Sequence, residues 1–220
     1  MLDVTGLECV RGDRPLFRGL SFAVRPGEML HVVGANGSGK TTLLRTLCGL
    51  SRPAAGEIRW HNADIRELGD DYHRQLAYVG HLNGIQGELT ARENLRAAGC
   101  LAGAVSDDAR DGGGRATHGA VADAGIDAAL ARLGLAAYRD FPAKILSQGQ
   151  KRRLALARLA VAPKPLWILD EPFSALDTHS LGTMTTLLSG HLATGGMIII
   201  TSHQDLAVEF RAVVSVKLDS

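Results

Sequence analysis

The chain has 220 residues, 45% of them hydrophobic and 21% charged, with a formal net charge of +1. That length and apolar fraction suit one α/β domain with a substantial core and room for an inserted subdomain. The near-neutral balance argues against a dedicated nucleic-acid binder, which carries a basic face.

Residues 1–5 have neither the basic start nor the apolar run of a secretory signal. No stretch reaches the ~18 apolar residues of a membrane helix, so any membrane span is expected from other subunits. The three cysteines, Cys9, Cys48 and Cys100, have no C-x-x-C spacing and read as reduced, mostly buried thiols. β patterns at 2–10 and 20–24 flank a turn-prone Arg11-Gly12-Asp13-Arg14-Pro15. Pro26-Gly27-Glu28 turns the chain into a buried strand at 29–33, followed by the Gly-rich segment 34–41 and a helix over 41–50 that Gly49 and Pro53 end.

Strands are expected at 56–60 and 76–79, and a helix from Glu88 to about Ala98, with Thr90 and Glu93 placed as a capping box. The interval 99–128 is half Gly and Ala and includes Gly112-Gly113-Gly114, so it reads as a loose or partly helical insertion with little to form a core. An amphipathic stretch over 129–138, a helix over 151–161, a strand at Leu166–Asp170, a helix over 179–193, a strand at Met197–Ser202 and a short helix over 205–210 complete the pattern. Strands alternating with helices imply a mostly parallel sheet.

The segment Gly34-Ala35-Asn36-Gly37-Ser38-Gly39-Lys40-Thr41 fits G-x-x-x-x-G-K-[ST], between a strand and a helix as a phosphate-binding loop requires. The glycines let backbone N–H groups close on phosphate oxygens, and the helix N-terminus adds positive partial charge. Lys40 is expected at the β/γ-phosphates and the Thr41 hydroxyl on Mg²⁺, with Thr42 completing the set. A plain glycine turn is the bland alternative. Leu166-Trp167-Ile168-Leu169-Asp170-Glu171 is an apolar strand ending in two acids, where the ligand crevice of such a sheet lies. Asp170 is placed to bind Mg²⁺, directly or through water, and Glu171 to act as general base on the attacking water.

Leu146-Ser147-Gln148-Gly149-Gln150 with the following Lys151-Arg152-Arg153-Leu154-Ala155-Leu156-Ala157-Arg158 resembles the signature segment of ATP-binding cassette (ABC) ATPases. Ser174-Ala175-Leu176-Asp177 resembles their D-loop, Glu93-Asn94-Leu95 is similar to a further motif, and His203 sits like their switch histidine. The resemblance covers nearly the whole chain apart from 99–128. It implies a P-loop fold of ABC ATPase type: a mostly parallel core sheet, an antiparallel β part and an inserted helical subdomain at about 85–160, all within one domain, 1–220. It also implies ATP and Mg²⁺ as ligands, with His203 at the γ-phosphate. A chain with a phosphate loop at 34–41 and a second anion-binding helix start at Ser147 and Gly149 is expected to form a head-to-tail homodimer. Each ATP then meets Lys40 of one copy and Ser147, Gly149 and Gln150 of the other, with Asp177 coupling the sites. Ser147 is also read as an ordinary helix N-cap, and the two roles are compatible.

Two positions depart from the family pattern. Tyr78-Val79-Gly80-His81 has a histidine where a glutamine is common. His81 either reaches Mg²⁺ or the attacking water, as an imidazole that can change charge where glutamine cannot, or is purely structural. Near the adenine, an aromatic is replaced by Arg11, whose guanidinium can stack on a flat base; Phe17 is the nearest aromatic alternative.

The block from Tyr78 through Leu95, the run Arg158 through Asp177, and Gly195 through Leu206 resemble the ATP-binding subunits of bacterial cytochrome c maturation (Ccm) haem exporters. That resemblance implies two polytopic inner-membrane partners, a haem chaperone acting indirectly, and a peripheral site on the cytoplasmic face of the inner membrane. The chain beyond His203 is expected to be too short for the regulatory domain of many importers, and no C-x-x-C-H motif or histidine pair marks a haem site. The alternatives are an ATPase of another exporter (drug or lipid), a non-transport ABC ATPase acting on DNA or ribosomes, and a P-loop kinase. The kinase reading leaves 146–150 and 174–177 without a purpose.

Overall fold

The computed structural model describes residues 1–12, 14–103, 123–202 and 213–218. In chain order the elements begin with β1 (Leu2–Arg11), β2 (Arg14–Val24), β3 (Met29–Gly34), α1 (Lys40–Leu47), β4 (Ala55–Trp60), β5 (Ala63–Asp64), α2 (Ile65–Leu68), α3 (Asp70–His73) and β6 (Leu76–Val79). The chain continues with α4 (Ala91–Leu101), α5 (Asp123–Arg132), α6 (Gln148–Val161), β7 (Leu166–Asp170), α7 (Thr178–Ala193), β8 (Met197–Ser202) and β9 (Val213–Leu218). They divide into two compact units, one of Met1–His81, Lys164–Pro172 and Leu187–Ser220, the other of Leu82–Pro163 and Phe173–Thr186.

The first unit holds two sheets. β2-β1-β4-β5 is antiparallel, and β6-β7-β8-β3-β9 is parallel throughout. β7 is buried along its whole length and β8 at all but its last residue, because a parallel sheet covered on both faces selects continuous apolar runs. One hydrophobic cluster joins the sheets and α1, with Leu2, Leu7 and Ile58 from the antiparallel sheet, Leu43, Leu44 and Leu47 from α1, and Leu30, Ile168 and Ile199 from the parallel one. Cys9 and Cys48 lie in this core, where burial pushes the Cys48 thiol up to about 12; Cys100 is exposed.

β9 was not expected. Its side chains are mostly exposed, so its sequence lacks the apolar density of the inner strands; among the described residues it pairs with β3. The four-residue α2 and α3 are too short for a 3.6 period to register. The helix expected over 205–210 lies outside the described residues.

In the second unit α4, α5 and α6 pack pairwise. Thr90 and Glu93 form the expected capping box of α4, and Ser147 and Gln150 form another at α6. Both described ends of the 99–128 interval are helical, within the reading of a loose or partly helical insertion, but the expectation of little core there is corrected. α4 runs to Leu101, and α5 begins at Asp123, before the amphipathic stretch expected from 129. Ile126, fully buried with Ala129 and Leu130, supplies an i, i+3, i+4 stripe that the surrounding Gly and Ala conceal. Arg92 pairs with Asp127 at 2.8 Å and Arg96 with Asp123 at 2.6 Å, tying α4 to α5.

The segment 82–90 is held from two sides. Arg152 donates to Asn83 Oδ1 at 3.2 Å, and Arg158 donates to the carbonyls of Asn83 and Gly84. Asn94 bonds the backbone of Gln86, Leu89 and Thr90. Among the described residues no helix is long and apolar enough to cross a membrane.

Candidate active site

The C-terminal ends of the parallel strands share one edge, since Val79 is level with Leu169, Leu169 with Ile200, and His31 with Ile200. The loop 34–41 leaves β3 at this edge, Asp170 and Glu171 end β7, and His81 follows β6. Ligands of open α/β sheets bind in the crevice beyond such strand ends.

The loop has the local form its sequence demands. Gly37 and Gly39 take φ of 84° and 100°, a region costly to any residue with a Cβ. A Cβ on Gly34 would lie 2.5 Å from Ser38 Oγ and 3.1 Å from the Leu218 carbonyl. Lys40 is buried inside the loop's curve, donating to the carbonyls of Gly34 at 2.6 Å and Ala35 at 3.1 Å. Among the described residues no side chain caps α1, which suits its first N–H groups to an anion. Ser38 Oγ is buried with no hydrogen-bond partner among the described residues, a group that needs one. An uncapped helix start, an orphaned hydroxyl and a buried ammonium in a glycine cradle fit a polyphosphate.

Thr41 Oγ1 donates to Asp170 Oδ2 at 2.8 Å, and Thr201 Oγ1 donates to Asp170 Oδ1 at 2.6 Å. The Glu171 N–H donates to the same Thr201 oxygen at 3.0 Å. Neighbouring ligands of octahedral Mg²⁺ stand about 2.9 Å apart, given bonds of 2.0–2.1 Å, so the Thr41–Asp170 spacing fits two positions of such a shell. Among the described residues no group of three or more His, Cys, Asp or Glu side chains could hold a metal. Mg²⁺ keeps waters and substrate phosphates in its shell and needs only one or two protein oxygens. Glu171 is left-handed with φ of 51°, a strain of about 1–3 kcal/mol for a non-glycine residue that must be held by its surroundings.

The signature segment is in the second unit. Ser147 caps α6, its Oγ accepting from Gln150 N at 3.2 Å, while Gln150 Oε1 accepts from Ser147 N at 2.8 Å. A Cβ on Gly149 would lie 2.8 Å from the Ala175 carbonyl, so only glycine lets the D-loop backbone come this close. Ala175 is left-handed with φ of 60°. Asp177 Oδ1 accepts from Ser180 N at 2.7 Å at the start of α7. Ser147, Gly149, Gln150 and Asp177 are thus brought into one unit; Lys40, Thr41, Asp170 and Glu171 into the other.

Thr42 is half-buried in α1, Ala35 and Asn36 are exposed on the loop, and His81 is exposed. Arg11 is exposed at the end of β1, opposite Arg14. Phe17, the aromatic alternative, is only 8% exposed and packs with Leu16 against Gly39, so it offers no open stacking face. His203 lies outside the described residues. A cavity of ≈ 240 Å³ lined by Thr46, Arg52, Asp64, Arg66 and His73 stands at the far end of α1 and includes none of these site residues.

A sequence model of the ABC transporter family matches residues 17–174, from ahead of the phosphate loop to beyond Glu171. The chain belongs to the ABC transporter family. It is an ATP-hydrolysing enzyme of that family, with the expected parallel core and antiparallel β part. It is 50% identical over 203 residues to the cytochrome c biogenesis ATP-binding export protein CcmA of Methylococcus capsulatus, covering 92% of this chain and 91% of that protein. It is also 50% identical over 208 residues to the protein of the same name from Nitrosomonas europaea, covering 94% and 91%. Among solved structures, the ATP-binding subunit of an ABC transporter superposes with a TM-score of 0.79 at 25% identity, covering 92% of this chain and 79% of that one.

Three features escaped sequence reasoning: the Thr201 bridge, a hydrogen bond of 2.8 Å between buried His31 and Ser202, and the arginine clamp on Asn83. Thr201 left a trace, the first polar residue after the apolar run Met197–Ile200.

Proposed function

We propose that the chain powers haem export, or release of a haem-loaded chaperone, in cytochrome c maturation. The observation that carries this reading is its 50% identity, over more than nine-tenths of its length, to cytochrome c biogenesis ATP-binding export proteins. The ATPase works as a peripheral subunit on the cytoplasmic face of the inner membrane, as a head-to-tail homodimer joined to polytopic membrane subunits. Haem itself is handled by those partners and the chaperone.

ATP lies along residues 34–42, with the adenine near Arg11. Loop N–H groups and Lys40 bind the β/γ-phosphates, Ser38 donates to phosphate oxygen, and Thr41 and Asp170 hold Mg²⁺. The metal, when bound, neutralises phosphate charge. Glu171 takes a proton from water as the water oxygen bonds the γ-phosphorus and the bond to the bridging oxygen breaks. His203 and His81 flank this reaction. Ser147, Gly149 and Gln150 of the second copy close on the same γ-phosphate, and Asp177 links the two sites. The membrane subunits dock near residues 81–98, a proposal supported by exposed Leu82 and by exposed Phe141 and Ile145 on a segment hydrogen-bonded along 87–91.

Glu171→Gln removes the base and keeps the binding surfaces. Hydrolysis should fall by a factor of about 10²–10⁴, while ATP-dependent dimers accumulate in light scattering, with the membrane subunits present if the isolated chain is too weak. A variant that hydrolyses ATP normally, or never dimerises under either condition, refutes the mechanism. Purification from membranes with a drug or lipid exporter as the only polytopic partner would favour the other reading.

A further inference from the structure

We infer that Thr201 is a positioning residue that sets both acids of the hydrolytic site through one hydroxyl. The inference rests on the roles proposed above for Asp170 and Glu171. β8 is apolar from Met197 to Ile200 and then turns polar at Thr201, which is 0% exposed. A hydroxyl buried in an apolar strand is costly unless bonded, and this one is bonded twice. It donates to Asp170 Oδ1 at 2.6 Å and accepts from Glu171 N at 3.0 Å. A hydroxyl has one hydrogen to give and lone pairs to receive, and both capacities are used.

The two bonds do different things. The first holds Oδ1 from β8 while Thr41 engages Oδ2. The carboxylate plane is then fixed by two hydroxyls, and Oδ2 stays at the Thr41 spacing that a Mg²⁺ shell needs. The second bond anchors the backbone of Glu171 at φ of 51°, a conformation that persists only where neighbours impose it. That conformation sets the direction of the Glu171 Cβ and hence of the base. Asp170 and Thr201 are also direct partners in the parallel pairing of β7 and β8, so strand register delivers the hydroxyl to the acids. The β-branched Thr has few χ1 choices in a strand, which keeps the oxygen aimed.

Three variants of the full chain test this. Thr201→Val is near-isosteric and lacks the hydroxyl, and Thr201→Ser keeps it. Thr201→Ala lacks it without a methyl against the carboxylate and is read where the valine variant fails to fold. ATPase kcat and the Mg²⁺ requirement of nucleotide binding, followed with a fluorescent ATP analogue, are measured with binding in EDTA as reference. Loss of the hydroxyl should lower kcat and weaken the Mg²⁺ dependence by about 10–100-fold, the usual effect of removing a residue that orients a metal ligand. Binding in EDTA should be unchanged, and Thr201→Ser should restore both quantities. Unchanged kcat and Mg²⁺ dependence in Thr201→Val, or equal impairment of the serine variant, overturns the inference. So does a loss of EDTA binding in step with thermal stability. If Glu171→Gln leaves hydrolysis intact, the general-base reading falls by itself. The Mg²⁺ dependence of binding still judges Thr201 through Asp170.

Discussion

Asn94→Ala should loosen the segment 86–90 by an amount that can be worked from its bonds. Asn94 is 7% exposed. Its Oδ1 accepts from Gln86 N at 2.9 Å, and its Nδ2 donates to the carbonyls of Gln86, Leu89 and Thr90 at 3.0, 3.2 and 2.9 Å. The amide has only two N–H hydrogens, so three carbonyls share them and the group counts as about three full bonds. At roughly 1 kcal/mol net each, with no water to replace them at a buried site, the loss is about 3 kcal/mol. For a chain of this size that corresponds to a fall in Tm of about 6–12 °C. Circular dichroism melts measure the shift, and hydrogen exchange at the Gln86 amide locates it. A shift below about 2 °C with that amide still protected would refute the bond count.

Two further substitutions separate structure from function. Ser147→Ala loses the α6 cap and should cost about 1 kcal/mol, whereas Ser147→Asp keeps a capping oxygen but sets a negative charge where the proposed dimer brings the partner's ATP. The aspartate variant should melt like the parent and fail to dimerise with ATP in light scattering; normal ATP-dependent dimerisation would remove Ser147 from the phosphate site. His191 stacks on Trp167 at 3.7 Å with the rings 2° from parallel, and burial holds its pKa below the ordinary 6.5. The unfolded chain therefore takes the proton first. The associated stability is fully present above pH 6.5 and is lost as pH falls from 6.5 through the folded value. Melts across this range should show His191→Phe, which keeps a stacked ring, with a shallower acid slope; identical slopes would acquit His191.

The sequence by itself determined whatever is carried by neighbours along the chain. The phosphate loop is legible because three glycines and a lysine meet one local geometry. The α4 cap is legible because Thr90 and Glu93 are one turn apart, and β7 and β8 because burial on both faces demands apolar runs. The start of the helix at Asp123–Arg132 and its buried face were not legible because they depend on Ile126, set among Gly and Ala, and on charge partners in α4. Strand Val213–Leu218 escaped because its mostly exposed sequence carries little apolar pattern and its pairing with β3 is a long-range contact. The site divides the same way. Lys40, Thr41, Asp170, Glu171 and Ser147 stand out as candidates by residue type and position. Only the tertiary structure brings Thr201 to Asp170, Asn83 to Arg152, and Gly149 to the Ala175 carbonyl, because a hydrogen bond or close approach between distant residues is decided by strand register and helix packing.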